Sequence, residues 1–162
     1  MKEIASLEAT IKTPSAGLPD DIFLFLTRLT PMINVDLLIK NKSNQTLLTW
    51  RDDGGRYVGW HIPGGIIRFK ETIAERLKAV ALSELGAKIT FKSEPLAVNE
   101  VIIPEKRDRS HFISLLYECA LTSPLNSKLQ YVSGQAKPGE WAWHDIGPKD
   151  LIPVHEMYRK YL

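Results

Sequence analysis

Cysteine is almost absent from this chain of 162 residues, since it occurs only once, as Cys119. A single cysteine cannot form a disulfide within the chain, so nothing in the sequence indicates an oxidising compartment. Cys119 lies in the apolar run 112–121, and this position predicts a small, buried hydrophobic side chain.

Long apolar runs are absent as well. No stretch is long enough to span a bilayer, and the N-terminal MKEIASLEATIK contains acids and no apolar core, unlike a signal peptide. The net charge of +2 is too small to indicate a nucleic acid or a membrane surface as a partner. We therefore expect a cytoplasmic protein that binds neither.

The composition fits one soluble domain with its own core, because 44% of the residues are hydrophobic and 25% are charged. Residues 1–17 are weakly patterned and end in Thr-Pro-Ser-Ala-Gly, so we expect an N-terminal extension there. Residues 18–162 then form a single domain without an internal repeat.

Strand-forming segments dominate the pattern. The polar turn 41–45 suggests that the first two strands form a hairpin, and 52–55 predicts a second turn. The strands, rich in β-branched and aromatic residues, are expected at 33–39, 46–50, 88–91, 97–103 and 111–121, with weaker candidates at 131–132 and 140–143.

Helices are fewer. Asp20 and Asp21 can cap a short helix that Pro31 ends. A closing helix is expected at 154–161. With one longer helix in the middle of the chain, this order of elements indicates layers of α/β or α+β type.

That longer helix belongs to the most informative segment, 63–87, with the sequence PGGIIRFKETIAERLKAVALSELGA. Its opening Pro-Gly-Gly allows tight turns and a close approach of the backbone to a ligand. The helix is predicted to begin at Glu71, because apolar residues then recur every three or four positions. Gly86 is a typical stop signal.

Four charged side chains can carry chemistry on physical grounds. Glu84 lies near a helix C-terminus, where an acid is unfavourable unless a cation is close. Asp36 lies inside an apolar strand, and a buried acid needs a partner or a function. Arg51 ends a strand and either binds phosphate bidentately or is solvated. Glu71 either braces the glycine loop, which is Pro63-Gly64-Gly65, or takes part in the chemistry directly.

The segment 63–87 resembles the signature of the Nudix hydrolases. That signature is a glycine, five residues, a glutamate, seven residues, and then Arg-Glu-apolar-x-Glu-Glu-x-Gly-apolar. The resemblance implies an α/β/α sandwich with a central mixed sheet. The residues in register are Gly65, Glu71, Glu84, Gly86 and Ala87.

Departures from the signature point to one branch of that family. Ala79 replaces its arginine, and Val80 and Ser83 replace two of its glutamates. The GDP-mannose mannosyl hydrolases also lack those two glutamates. The similarity to this branch extends over 20–160, through Phe23, Arg28, Thr30-Pro31, Asp36, Asn41, Leu47-Leu48, Arg51, Trp60, Pro63-Gly64-Gly65, Glu71-Thr72, Glu84-Leu85-Gly86, His111 and Trp143.

The resemblance to this branch implies a site and a substrate. Glu84 and the carbonyl of Gly64 would hold Mg²⁺, with Mn²⁺ as the other candidate. The substrate would be a small nucleotide sugar such as GDP-mannose, bound by Arg51, Arg28 and Gly65. Because members of the branch form dimers, a homodimer is also an expectation.

The same resemblance assigns the remaining roles. Asp36, Arg51 and Arg68 are predicted as catalytic groups, and Arg68 lies two residues beyond Ile66, where the branch has an arginine. Glu71 and Gly86 are expected to be structural. On physical grounds alone, His61 and His111 are interpreted as structural histidines, and His144 and His155 receive no role.

Three functions remain open. The first is Mg²⁺-dependent release of a nucleoside diphosphate by attack of water at the sugar carbon. The second is a pyrophosphatase that cleaves at phosphorus. The third is an inactive Nudix-fold module that binds nucleotides. The departures at Ala79, Val80 and Ser83 favour it, as does Phe112, which stands where the branch has a tyrosine after the strand histidine. The general base is not identified, because Lys137-Pro138 stands where the branch has Gln-His.

Overall fold

The computed structural model describes residues 2–54 and 57–162. Gly55, in the predicted turn 52–55, lies outside the described residues. The helices are α1 (Lys2–Thr10), α2 (Asp20–Leu26) and α3 (Ile73–Leu85), with 3₁₀ helices at Pro14–Ala16, Ser127–Leu129 and Pro153–Tyr161. The strands are β1 (Met32–Ile39), β2 (Thr46–Asp52), β3 (Val58–His61), β4 (Gly64–Ile66), β5 (Ile89–Phe91), β6 (Ala97–Ile102), β7 (His111–Leu121) and β8 (Trp141–His144).

The strands form two sheets. In the larger sheet, the long strand β7 pairs in parallel with β1 on one side and antiparallel with β6 and β5 on the other. Strand β4 extends this sheet by pairing antiparallel with β1. The smaller sheet is antiparallel, in the order β3-β2-β8. The larger sheet is therefore mixed, as predicted.

The predicted hairpin of the first two strands is wrong, because β1 and β2 belong to different sheets. The turn itself forms, since the Asn41 amide donates to the Gln45 carbonyl at 3.0 Å, but only one bridge, Lys40 to Thr46, joins the strands. Both strands are buried over most of their length. The local sequence pattern specifies the turn, whereas the burial of β1 and β2 in two different layers determines which strands they pair with.

Helix α3 begins later than predicted. Thr72 is its N-cap and forms a capping box with Glu75, so that Glu71 precedes the helix instead of opening it. Each side chain of this pair bonds the backbone N–H of the other, at 3.2 and 2.8 Å. Gly86 ends the helix in the left-handed region, with φ of 61°, as its position predicts.

The core lies on both sides of the larger sheet. Leu77, Val80, Ala81 and Leu85 of α3 are buried in the cluster that contains β1 residues and Cys119. Burial raises the pKa of Cys119 to about 12, which agrees with its prediction as a buried hydrophobic residue. A second cluster lies beneath the closing 3₁₀ helix and comprises Leu38, Leu48, Trp60, Ile62, Leu116, Leu151 and Tyr158.

The short helices differ from their predictions in detail. Helix α2 has Pro19 at its N-cap and ends at Leu26, well before Pro31. The closing helix is of the 3₁₀ type. Tyr131 and Val132 lie outside the strands. Within 2–54 and 57–162, no helix is long and apolar enough to cross a membrane.

The capping box predicts a measurable contribution to stability. Thr72→Ala should lower the free energy of unfolding by about 1 kcal/mol, because it leaves helix N–H groups without their acceptor. Urea unfolding monitored by circular dichroism measures the change, with Ser93→Ala in an exposed loop as the control. Equal effects of the two variants would contradict the assignment.

Candidate functional site

The glycine loop brings α3 close to the buried centre of β1. Strand β4 pairs with β1 such that Gly64 lies opposite Asp36. A Cβ at Gly64 would overlap the Oδ1 atom of Asp36, and one at Gly65 would lie 2.9 Å from the Val80 side chain. Only glycine therefore fits at position 64, because the carboxylate of Asp36 occupies the space that a Cβ would need.

Glu84 connects the last turn of α3 to three strands. Its Oε1 accepts a hydrogen bond from the Gly64 amide at 3.3 Å, and its Oε2 accepts one from Thr49 Oγ1 at 3.1 Å. The same Oε2 lies 3.5 Å from Nε2 of His61. Glu84 is thus held at a point where both sheets meet.

Asp36 is the centre of a buried polar network. Ser114 on β7 and Tyr158 in the closing 3₁₀ helix both donate to its Oδ2, Tyr158 at 2.7 Å. Burial raises the pKa of Asp36 from 3.8 to about 6, although the two hydroxyl hydrogen bonds oppose the shift. The carboxyl group therefore titrates near neutral pH.

A cavity of about 470 Å³ opens over these residues, within the usual range for small-molecule sites. Its polar end contains Asp36, His61, Gly64 and His155. Apolar side chains line the rest, among them Leu18, Phe23, Met32, Phe69 and Phe112.

Arginine dominates the charge of this cavity. Four arginines line it, namely Arg51, Arg68, Arg76 and Arg109. Among the described residues, Asp36 is the one carboxylate in the lining. Asp53 pairs with Arg51 at 2.7 Å and lies 3.6 Å from Arg109. Burial acts to raise the pKa of Asp53, but the hydrogen bond and charge of Arg51 outweigh it and hold the pKa below its ordinary value.

Two of the predicted residues brace the glycine loop. Glu71 accepts hydrogen bonds from the Arg68 amide and from Nε of Arg76, each at 2.8 Å. Arg68 reaches the N-terminal segment, where its guanidinium donates to the Ser15 carbonyl at 3.3 Å. Arg68 therefore lines the cavity while attaching residues 14–17 to it.

Arg28 is the predicted site residue that the fold leaves apart. It pairs with Asp108 at 3.4 Å, and it is not among the residues of 2–54 and 57–162 that line the cavity. Its role in substrate binding stays a prediction.

The donor set bears on the predicted Mg²⁺. In the described part of the chain, no group of three or more His, Cys, Asp and Glu side chains is arranged to hold a metal ion. Mg²⁺ sites commonly use one or two carboxylates and complete their six oxygens with substrate phosphates and water. Glu84 fits such a partial site, because each of its oxygens retains an unused lone pair. Ligation by the Gly64 carbonyl stays a prediction.

Several residues of the site were missed by sequence reasoning. Ser114 gave a signal, as a polar residue within an apolar strand. His155 and Tyr158 stand three residues apart, which places them on one face of a 3₁₀ helix, but the segment was expected to be an ordinary helix. The Ile62 amide donates to Nδ1 of His155 at 3.0 Å. Burial lowers the pKa of His155 well below its ordinary value, so this ring is neutral.

Comparison with known proteins places these features in context. No family model matches the chain. The chain is 30% identical over 139 residues to the Low-salt glycan biosynthesis protein Agl8 of Haloferax volcanii, which covers 83% of this chain and 87% of that protein.

Solved structures show the fold. The chain is similar to a MutT Nudix hydrolase from Burkholderia pseudomallei, with a TM-score of 0.63 and 18% identity over 82% of this chain and 98% of that one. It is also similar to a MutT protein from Methanosarcina mazei Go1, with a TM-score of 0.59 and 18% identity over 82% and 91% of the chains. The predicted Nudix-like fold is confirmed.

The raised pKa of Asp36 predicts a dependence of stability on pH. Between the unfolded value of 3.8 and about 6, the folded state binds the proton that the unfolded state has lost. Stability from this group is therefore highest at low pH and falls by up to about 3 kcal/mol as the pH rises to 6. Asp36→Asn should remove this decline.

Urea unfolding between pH 4 and pH 7, in buffer with a metal chelator, measures the effect. The control is Asp20→Asn in the first turn of α2, where the carboxylate is exposed. Parallel pH profiles for wild type and Asp36→Asn would contradict the assignment.

Proposed function

Because the chain belongs to the family of Agl8 and has the Nudix hydrolase fold, we propose that it is a Mg²⁺-dependent hydrolase of a nucleoside diphosphate sugar. One observation carries the proposal: a cavity lined by four arginines lies against the loop that Glu84 holds. An anion that also binds a divalent cation fits this arrangement, and a diphosphate is such an anion.

The sugar part of the proposed substrate is supported by the relative Agl8. Glycan biosynthesis, the process named for Agl8, uses activated sugars, and nucleoside diphosphate sugars are the common form. GDP-mannose is the version that the resemblance of the sequence implies. A cytoplasmic location, a homodimer and Mn²⁺ as an alternative cation belong to the same proposal.

The protein's own residues suggest how the reaction proceeds. Arg51 and Arg68 bind the diphosphate and balance its charge. Glu84 would hold Mg²⁺, and the bound ion would supply neutralisation of the phosphate charge for departure of the nucleoside diphosphate. Asp36 is the general base in this proposal, since a pKa of about 6 suits proton transfer near neutral pH.

His155 has a different part in this proposal. Because its Nδ1 accepts the Ile62 amide hydrogen, the neutral ring carries its own hydrogen on Nε2. It can therefore donate a hydrogen bond to the substrate but cannot act as a base there.

A pyrophosphatase is the alternative within the same site. Cleavage at phosphorus would use the same arginines and the same carboxylate, and it would release a nucleoside monophosphate and a sugar phosphate. An inactive binding module is favoured by one observation: Val80 is a core residue, so its position supplies no carboxylate to a metal.

The first experiment is product analysis with Mg²⁺ across a panel of nucleoside diphosphate sugars. We expect a nucleoside diphosphate and free sugar, with loss of turnover by at least about 100-fold in Glu84→Gln, since a metal ligand is removed. Glu94→Gln, an exposed acid outside the cavity, is the matched control and should retain activity.

The other outcomes separate the alternatives. A nucleoside monophosphate with sugar phosphate would move the attack to phosphorus. Turnover unaffected by Glu84→Gln would contradict the proposed metal site. Nucleotide binding without turnover of any substrate would leave the inactive module.

Arg51 gives a further test of the diphosphate assignment. Arg51→Lys keeps the charge but loses the planar pair of donors, so KM should rise by about 10-fold or more. Steady-state kinetics measure the change. Arg159→Lys is the control, because Arg159 pairs with Glu156 outside the cavity. An unchanged KM in Arg51→Lys would exclude Arg51 as a diphosphate contact.

A further inference from the structure

The arginines of the cavity differ in how far their charge is already balanced. Arg76 is matched by a carboxylate of its own, because its Nε and its Nη2 both donate to Oε2 of Glu71 at 2.8 Å. Arg51 and Arg109 share one carboxylate, since Oδ2 of Asp53 lies 2.7 Å from Nη2 of Arg51 and 3.6 Å from Nη1 of Arg109. These three side chains therefore sum to one positive charge.

The backbone of Arg109 is held in a defined position. Arg109 lies in the loop 103–110, which joins β6 to β7 and is closed by a hydrogen bond from the Ile103 amide to the Ser110 carbonyl at 2.7 Å. Its own amide donates to Oγ1 of Thr27, a buried residue directly after α2, at 3.1 Å. Its φ of 52° is uncommon for a residue with a side chain. Such a conformation persists only where the surroundings impose it.

The guanidinium group of Arg109 is positioned as well. It lies over the ring of Phe23, 5.9 Å from the ring centroid, and both residues line the cavity. A cation over an aromatic face is attracted by the ring. With Asp53 as its second partner, the charged end of Arg109 is placed at the wall of the cavity before a ligand arrives. Binding of an anion there costs little additional ordering of the side chain.

The segment after α2 attaches the loop 103–110 at two adjacent residues. Arg28 pairs with Asp108 at 3.4 Å, and Thr27 accepts the amide hydrogen of Arg109. Arg28 therefore contacts the loop that carries Arg109, although it is not among the described residues of the cavity lining. Two consecutive attachments fix the direction in which Arg109 leaves the loop.

We propose that Arg109 binds the diphosphate beside Arg51, so that two arginines held by one carboxylate contact the anion from the same side. Two neighbouring cations are unfavourable unless anions balance both of them, and Asp53 balances only one. A diphosphate in the cavity supplies the missing negative charge, and guanidinium groups bind phosphate oxygens in pairs of hydrogen bonds. Arg76, which Glu71 already balances, stays a brace of the glycine loop. This inference rests on the proposed function, which supplies the diphosphate.

The test is direct binding of imidodiphosphate with Mg²⁺, by isothermal titration calorimetry on the purified chain. This analogue of pyrophosphate resists hydrolysis and carries neither base nor sugar, so the result does not depend on the identity of either. Arg109→Gln should weaken binding by about 10- to 100-fold, because hydrogen bonds to a charged group are lost. Arg109→Lys keeps the charge but loses the planar donors, so its affinity should fall between those of wild type and Arg109→Gln.

The same loop offers a matched control. Arg107 is exposed and does not belong to the described lining of the cavity. Arg107→Gln removes the same charge from the same loop, but solvent and salt screen an exposed charge, so the affinity should stay within about 2-fold of wild type. An equal loss in Arg107→Gln and Arg109→Gln would show an effect of net charge alone and would overturn the assignment.

The outcomes separate this inference from the proposed function. If Arg51→Gln weakens binding and Arg109→Gln does not, the diphosphate site stands and the inference fails. If neither variant changes binding, both proposals fail. If Arg109→Gln weakens binding but the chain turns over no nucleoside diphosphate sugar, the contact stands and the hydrolase proposal fails. Should urea unfolding show that Arg109→Gln does not fold, Arg109→Lys decides, and an unchanged affinity in that variant overturns the inference.

Discussion

The carboxylate of Glu84 is the contact on which the rest of the site depends. It leaves the last turn of α3 and reaches Thr49 and His61 in the smaller sheet and Gly64 in the larger one. A helix C-terminus disfavours an acid, so the position is held by hydrogen bonds from both sheets. Because one side chain joins three layers, the spacing of the sheets and the shape of the glycine loop are set together.

The sequence predicted the order of the elements well where the pattern was local. Strand β7 was predicted with its observed bounds, and Gly86 was identified as the end of α3, because β-branched runs and left-handed glycines are local signals. The partner of β2 was not predictable in this way. Strand β2 is buried on both faces by elements that are distant in sequence. The turn 41–45 fits a hairpin as well as it fits the observed placement of β1 and β2 in two different sheets.

The candidate site shows the same difference between local signals and contacts that are distant in sequence. The spacing of Gly64, Gly65 and Glu84 was sufficient to locate the loop and the carboxylate that faces it. The partners of Asp36 were missed, because Ser114 and Tyr158 approach it only through the parallel pairing of β1 with β7 and the packing of the closing 3₁₀ helix. Sequence spacing carries no information on a contact that requires the whole fold.

The substitution of Val80 in the signature has a structural reason. Val80 packs in the core and would contact a side chain at Gly65, so this position on the loop-facing side of α3 is apolar. The glycine loop rests on Val80 and on the Cδ atom of Arg76 instead of on a row of acids. The helix thus presents one carboxylate, Glu84, and one cation, Arg76, on the side that faces the loop.

The network around Asp36 also bears on how the protein folds. Its members lie 78 and 122 positions apart in the chain, so it closes a loop that includes most of the domain. Contacts of such high sequence separation cost loop entropy before they stabilise anything, and they form late. The polar end of the cavity is therefore assembled only when β1, β7 and the closing 3₁₀ helix are all in place.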